Sequence, residues 1–326
     1  MTSPRIAVTV VSGFLGAGKT TLLNRMVRRA EGSRLAVIVN DFGELNIDAA
    51  IVSEVTDAVY SLQNGCICCT VQEDLLAQLA SLAQLEPRLE RIVIECSGVS
   101  DPQRIVQTLA YPQLRSQMQL DMVITVVDAT RHLQLDGEYA RLARAQVAAA
   151  DLLLLNKTDL VDESQLQALR DALGARTRVH ESVQAELPDA LWLDTDLDLE
   201  PRAQKPLTRV SDGDHGEMFS SWLWQSNAAL DVECLRGWLR ALPSDVFRVK
   251  GLVLLTPGST AHWLQHVGTR SQFLPALDDA RANATRLVFI ARRGFDGWEA
   301  LGQGLEDCTV KDCSVKESTV KEVTVA

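Results

Sequence analysis

Blocks of two kinds alternate along the first 190 residues. Apolar, largely β-branched runs over residues 5–11, 35–39, 91–94, 122–127 and 151–155 leave almost no alternate polar positions. Runs of that kind predict strands buried on both faces. Between them, residues 21–27, 73–84, 138–149 and 163–173 carry helical spacing. Strict alternation of strand and helix predicts an α/β domain, a parallel sheet with helices on both faces. Residues 194–216 are rich in Asp, Pro, Gly and Glu and predict a linker. Beyond it the pattern changes. Strands are expected over 219–225, 247–255, 261–267 and 286–291, and helices over 231–242 and 298–305. This mixture predicts a smaller α+β domain. The expected organisation is therefore 1–193, a linker 194–216, a second domain 217–306 and a tail 307–326. The tail repeats with period five (Cys308, Cys313 and Ser318 each begin a unit), suits neither helix nor strand, and is expected to be disordered.

Composition narrows the classes. The chain has 326 residues, 46% hydrophobic and 23% charged, enough for an ordinary core. A formal charge of −11 with no basic stripe argues against nucleic acid as a partner. Apolar runs are short and interrupted, so no membrane-spanning helix is expected. The first strand begins at once, which leaves no room for a secretory leader, and cytoplasmic residence is the expectation. The seven cysteines are odd in number and three are clustered, unlike a disulfide framework.

The turn after the first strand reads Gly13-Phe14-Leu15-Gly16-Ala17-Gly18-Lys19-Thr20. It is a phosphate-binding loop in its strand–loop–helix setting. Its glycines let backbone N–H groups reach phosphate oxygens, and the helix start adds a positive dipole end. Lys19 is placed to neutralise the β- and γ-phosphates, Thr20 to ligate Mg²⁺, and Thr21 continues the binding turn. The run 151–155 delivers Asn156-Lys157-Thr158-Asp159 to its carboxyl end. The Asp159 carboxylate matches the N1–H and exocyclic amine of guanine, a donor pair adenine lacks, and Lys157 can lay its stem on the purine. Such a tetrapeptide is also an ordinary polar turn, but downstream of the phosphate loop it favours GTP over ATP.

Two further strand ends carry acids. Residues 35–39 run into Asn40-Asp41-Phe42-Gly43-Glu44, and residues 91–94 into Glu95-Cys96-Ser97-Gly98. Asp41 and Glu95 are candidates for Mg²⁺ or its waters, and Gly98 for a backbone approach to the γ-phosphate. Either acid would also serve as a helix cap or surface carboxylate. Asp128 is a further candidate of lower rank.

Asn64-Gly65-Cys66-Ile67-Cys68-Cys69 sets three thiols in four residues behind a turn-forming pair. Thiolates suit Zn²⁺ or Cu(I) better than Mg²⁺ or Ca²⁺. Cys66 and Cys68 share a side if the segment is extended, Cys69 points elsewhere, and Glu44 is a plausible oxygen ligand. Buried apolar cysteines or a redox pair are the alternatives. His215, His262 and His266 stand singly and read as structural.

The phosphate loop, Asn-Asp-Phe-Gly-Glu, Asn-Gly-Cys-Ile-Cys-Cys, Glu-Cys-Ser-Gly and Asn-Lys-Thr-Asp, in that order, resemble the CobW family of metal-handling P-loop GTPases. Arg248-Val249-Lys250-Gly251 resembles the Arg-x-Lys-Gly signature of that family's C-terminal domain, so the resemblance spans about residues 5–306. It implies GTPase activity, zinc or cobalt at Cys66, Cys68 and Cys69, and a metallochaperone role. Two departures stand out. Residues 211–216 hold a single histidine where many members are His-rich, and Val39 stands where some carry Glu. The expected ligands are GTP, Mg²⁺ and Zn²⁺ or Co²⁺, and the expected partner is a client metalloprotein. A homodimer is the assembly considered. With no side-chain general base in view, turnover should be slow. Alternatives are cobalt or iron delivery to nitrile hydratase or cobalamin synthesis, and a GTP switch that senses metal or redox state without carrying cargo.

Overall fold

Among the described residues, seven strands form the amino-terminal sheet: β1 Ile6–Gly13, β2 Leu35–Val39, β3 Val59–Ser61, β4 Arg91–Glu95, β5 Met118–Asp128, β6 Leu152–Asn156 and β7 Val179–Ser182. The computed structural model describes residues 5–30, 33–39, 59–61, 71–174, 178–193, 219–257, 260–276 and 284–310. All neighbouring strands in this sheet are parallel, in the order β3-β2-β4-β1-β5-β6-β7. The α/β expectation holds. Its reason is visible in the packing. Successive residues of β2 face opposite clusters, Val37 and Val39 on one side and Ala36 and Ile38 on the other. The helix Lys19–Arg29 covers the first side with Leu22, Leu23 and Met26, all essentially inaccessible. The helix Val71–Leu82 covers the second with Leu75, Leu79 and Leu82. Burying each such side chain contributes about 1.5–3 kcal/mol.

The carboxyl-terminal sheet contains β8 Phe219–Ser226, β9 Leu230–Asp231, β10 Val246–Thr256, β11 Thr260–Val267, β12 Arg270–Pro275 and β13 Thr285–Arg292. The antiparallel order is β12-β11-β10-β13-β8, with β9 alongside β10 in parallel. The helices Val232–Arg240 and Trp298–Asp307 close one face through Leu235, Leu239, Leu301 and Leu305, against Val249, Val253, Leu264 and Phe289. The edge strand β12 escapes the sequence pattern because Arg270, Ser271 and Gln272 make its first half polar. The chain stays packed past residue 306. Leu230 bridges Thr309, and Cys308 is 2% exposed and disulfide-bonded to Cys234. The burial of Cys308 and the backbone bonds of Cys308 and Val310 to residues 229–231 therefore hold this stretch in place. The disulfide also departs from the reading of the cysteines, since a pair 74 residues apart leaves no local spacing signal. Residues 194–216, His215 and Cys313 lie outside the described residues.

The two sheets meet at the amino ends of the parallel strands. Phe247, Val267 and Ile290 join the cluster beneath the Lys19–Arg29 helix. Asp121 of β5, fully buried, accepts hydrogen bonds from Arg91 of β4, Arg248 of β10 and Gln265 of β11. Burial alone would raise the Asp121 pKa. The surrounding Arg248, Arg91 and Lys250 charges outweigh it and hold the carboxyl well below its usual range. Arg178 reaches across to the carbonyls of Val246 and Gly268. No described helix is long and apolar enough to cross a membrane.

Candidate functional site

The site lies at the opposite, carboxyl edge of the parallel sheet, the usual ligand edge of open α/β folds. β1 stops at Gly13, and the loop turns into the Lys19–Arg29 helix. That helix has no acidic residue in its first turn and no side-chain cap, with Gly18 in the left-handed region at its start. The helix therefore contributes no acid of its own to its positive end, which suits a phosphate site. Gly18 has φ 109°, and a Cβ there would come 2.4 Å from Asn156 Nδ2. Both the backbone angle and the close approach demand glycine. Gly16, also at positive φ, faces open space.

Asn156 is the tie between phosphate loop and base motif. Its Nδ2 donates to the Ala17 carbonyl at 2.8 Å, and its Oδ1 accepts the Ala185 N–H at 2.7 Å. Lys157, at φ 64°, donates to the Gly16 carbonyl at 2.8 Å and to Asp128 Oδ2 at 2.7 Å. Burial tends to raise the Asp128 pKa, but hydrogen bonds from Lys157 and Thr130 prevail and lower it. Asp128 therefore orients Lys157 and makes no contact of its own with the loop that the described hydrogen bonds record. Asp159 sits in the short 3-10 turn Thr158–Leu160 with its side chain exposed at the same edge.

On the other side of the loop, Lys19 donates to the Phe14 carbonyl at 3.3 Å, and Thr20 Oγ1 donates to Glu95 Oε1 at 3.1 Å. Glu95 is 5% exposed. A hydroxyl and a carboxylate side by side are a hard oxygen donor set, which fits Mg²⁺ and would not attract a soft ion. Gly98 is pressed against the loop, for a Cβ there would lie 2.9 Å from the Leu15 nitrogen. Gln146, buried in the helix Gly137–Ala149, holds this segment from behind through the carbonyls of Gly98 (3.2 Å) and Ser100 (3.1 Å). Cys96 is buried, and burial pushes its thiol up to about 12, so it is neither nucleophile nor ready metal ligand. Thr21 is exposed on the helix's first turn.

Gly13, Gly16, Ala17, Gly18, Lys19, Thr20, Glu95, Gly98, Asn156 and Lys157 are thus assembled around one loop. Asp41, Glu44, Cys66, Cys68 and Cys69 lie outside the described residues. Among the described residues no group of three or more His, Cys, Asp or Glu side chains could hold a metal. Sequence reasoning missed two participants. Gln146 looks like any polar helix residue. The segment after β7 places non-glycine Gln184 and Ala185 at φ 53° and 56°, with the Gln184 carbonyl accepting Arg25 Nε at 2.9 Å. Residues 179–182 are Val-His-Glu-Ser, mostly polar, and gave no strand signal even though their burial alternates.

Residues 7–183 match the CobW/HypB/UreG nucleotide-binding domain, and residues 219–309 match the cobalamin synthesis protein cobW C-terminal domain. A zinc chaperone CobW of Sinorhizobium sp is 32% identical over 335 residues, covering 90% of this chain and 94% of that protein. The zinc chaperone YjiA of Escherichia coli K12 is 37% identical over 196 residues, or 58% of this chain and 61% of that one. The crystal structure of the Zn(II)-bound YjiA GTPase from E. coli covers 94% of this chain and 100% of its own at 24% identity and a TM-score of 0.44. With both halves matched and a relative aligned along nearly its whole length, the chain belongs to the CobW/HypB/UreG family.

Proposed function

We infer that this protein binds and hydrolyses GTP and uses the cycle to carry zinc to a client metalloprotein. The observation that carries the nucleotide half is Asn156. It pins the phosphate loop to the base motif through Ala17 and Ala185 and leaves the Asp159 carboxylate exposed for a base. Asp159 would accept the paired donors of guanine, and an adenine would leave that carboxylate without its partners. Lys19 and the loop N–H groups would hold the phosphates. Thr20 and Glu95, joined by Asp41, would hold Mg²⁺, which neutralises charge developing on the β- and γ-phosphates. Gly98 would offer its N–H to the γ-phosphate, and Gln146 fixes its carbonyl side. No described side chain is placed as a general base, so intrinsic turnover is slow and awaits the client.

The cargo half rests on the thiol cluster Cys66, Cys68 and Cys69, with Glu44 as oxygen ligand, and on relatives named zinc chaperones or zinc-regulated GTPase metalloprotein activators. The carboxyl-terminal sheet, which carries no nucleotide motif, would recognise the client. The setting is cytoplasmic. Calorimetric titration with GTP and ATP, each with Mg²⁺, tests the nucleotide reading. GTP should bind at least tenfold tighter, and equal affinities would sink it. Lys19→Ala should lose nucleotide affinity or hydrolysis with an unchanged fold. Activation of a zinc-free client by the zinc-loaded protein, with GTP and with GDP, tests delivery.

A further inference from the structure

The carboxyl-terminal end of the described chain is held by an arrangement that neither GTP nor zinc binding uses. Cys234 stands in the first turn of the Val232–Arg240 helix, whose Asp231 cap accepts its N–H at 2.8 Å. Cys308 follows the Trp298–Asp307 helix, and its Cα lies 5.4 Å from that of Cys234. The two sulfurs are bonded, but their surroundings differ sharply. Cys234 is exposed, whereas Cys308 is 2% exposed and packed with Leu230, Leu235 and Leu305. The backbone follows the bond: Asp231 N–H donates to the Cys308 carbonyl and Val310 N–H to the Ala229 carbonyl, both at 2.9 Å.

We propose that Cys234–Cys308 is a reversible thiol–disulfide exchange site, entered at Cys234 by small-molecule thiols of the glutathione class, that clamps residues 308–310 onto residues 229–231. Three features support this. On the cytoplasmic setting proposed above, on which this inference rests, the compartment is reducing, and a disulfide there is usually one that cycles. Exchange requires an accessible sulfur, and Cys234 supplies one while Cys308 is shielded. Third, the helix pair buries Leu235, Leu239, Leu301 and Leu305 independently of the bond, so opening it releases the clamp and spares the domain.

The chemistry runs in two exchanges. A thiolate RS⁻ attacks Cys234 Sγ. The Cys234–Cys308 bond breaks, R–S–S–Cys234 forms, and Cys308 leaves as a thiolate that takes a proton. A second RS⁻ attacks the R-side sulfur of the mixed disulfide, giving RSSR and a Cys234 thiolate that is also protonated. The sum is one protein disulfide plus two RSH giving one dithiol plus RSSR. Cys308 leaves into an apolar core that disfavours its thiolate, so opening is slow, and the mixed disulfide it passes through is carried by Cys234.

The full-length protein should be equilibrated with graded ratios of reduced to oxidised glutathione, quenched with an alkylating reagent, and mapped by peptide mass spectrometry. The proposal expects a linked Cys234–Cys308 peptide, lighter by two hydrogens, under oxidising ratios. It expects both cysteines to become alkylated together as the ratio rises, and any glutathione adduct to sit on Cys234. Limited proteolysis after residue 307 should accelerate in the same range. Free Cys234 and Cys308 at every ratio would overturn it, as would an adduct on Cys308 or a link from Cys234 to Cys313. So would protection of the pair by zinc alone without loss of hydrogens, which would reassign both as metal ligands.

Discussion

Asp121→Asn removes one charge and almost no volume from the seam between the two sheets. In the native seam the carboxylate meets Arg91, Arg248 and Gln265, and none of the charged side chains is more than 5% exposed. Arg91 also donates to Thr9 Oγ1 at 2.8 Å and Arg248 to the Leu191 carbonyl at 2.9 Å. Those bonds fix both guanidiniums in place, so neither can swing to water when the carboxylate is lost. Removing one partner of such a buried pair costs about 3–5 kcal/mol, a large share of a typical net stability of about 5–15 kcal/mol. Asp121 lies seven residues before Asp128 on the same strand, roughly 23 Å at about 3.3 Å per residue. Nucleotide affinity should therefore be unchanged. Urea unfolding can be followed by tryptophan fluorescence, because Trp222, Trp224, Trp238, Trp263 and Trp298 lie in the carboxyl-terminal sheet domain and Trp192 is buried near the seam. Arg248→Met and the double variant complete a cycle, whose coupling should be about 0.5–3 kcal/mol. A loss below about 1 kcal/mol for Asp121→Asn, or strictly additive effects, would refute the view that this charge cluster joins the sheets.

Two further outcomes follow from the geometry. Gly18→Ala sets a methyl 2.4 Å from Asn156 Nδ2 at φ 109°, so GDP affinity should fall by at least about tenfold with a loss of about 1–3 kcal/mol in stability; calorimetry and denaturant midpoints read both, and wild-type affinity would contradict the role of Asn156. His266 is held to about 3, first by burial and then by the Arg178 charge, with Ser271 Oγ on its Nδ1. Its folded pKa lies below its unfolded value near 6.5, so the native state resists the proton and stability drains as pH falls from about 6.5 toward about 3. Nearby Asp151, raised to about 6 by burial, acts in the opposite sense, losing stability as pH rises from its unfolded value near 3.8 to about 6. His266→Gln should therefore flatten the acid side of the stability profile relative to wild type, and an identical slope would show that His266 does not titrate as described.

The central strands were legible because both faces of the parallel sheet are buried, which makes 35–39, 92–94 and 152–155 continuous apolar runs. The phosphate loop was legible because its glycines are demanded by backbone angles and close contacts at single positions. What escaped was long-range. Asp121 and Arg248 are 127 residues apart, and nothing local announces that they meet. Gln146 carries no motif, and the strand β12 presents a polar edge. Cys234 and Cys308 likewise pair through tertiary packing alone, and so does the tie of Asn156 to Ala17, 139 residues away, whereas the Asn-Lys-Thr-Asp motif itself was legible from its order along the chain.

Zinc affinity in three nucleotide states tests the central claim most directly. Competition with a zinc chelator should be run with a non-hydrolysable GTP analogue, with GDP and without nucleotide. In the function proposed above, Asp41 serves Mg²⁺ and Glu44 the thiol-bound zinc, and only two residues separate them in sequence. The account predicts a shift of about tenfold between the GTP and GDP states, or about 1.4 kcal/mol of coupling, matched by an equal effect of zinc on GTP affinity. Cys66→Ser and Cys68→Ser should abolish the zinc signal and spare GDP binding. Identical zinc affinity in all three states would contradict the account and leave a zinc-binding GTPase whose cycle does not drive its cargo.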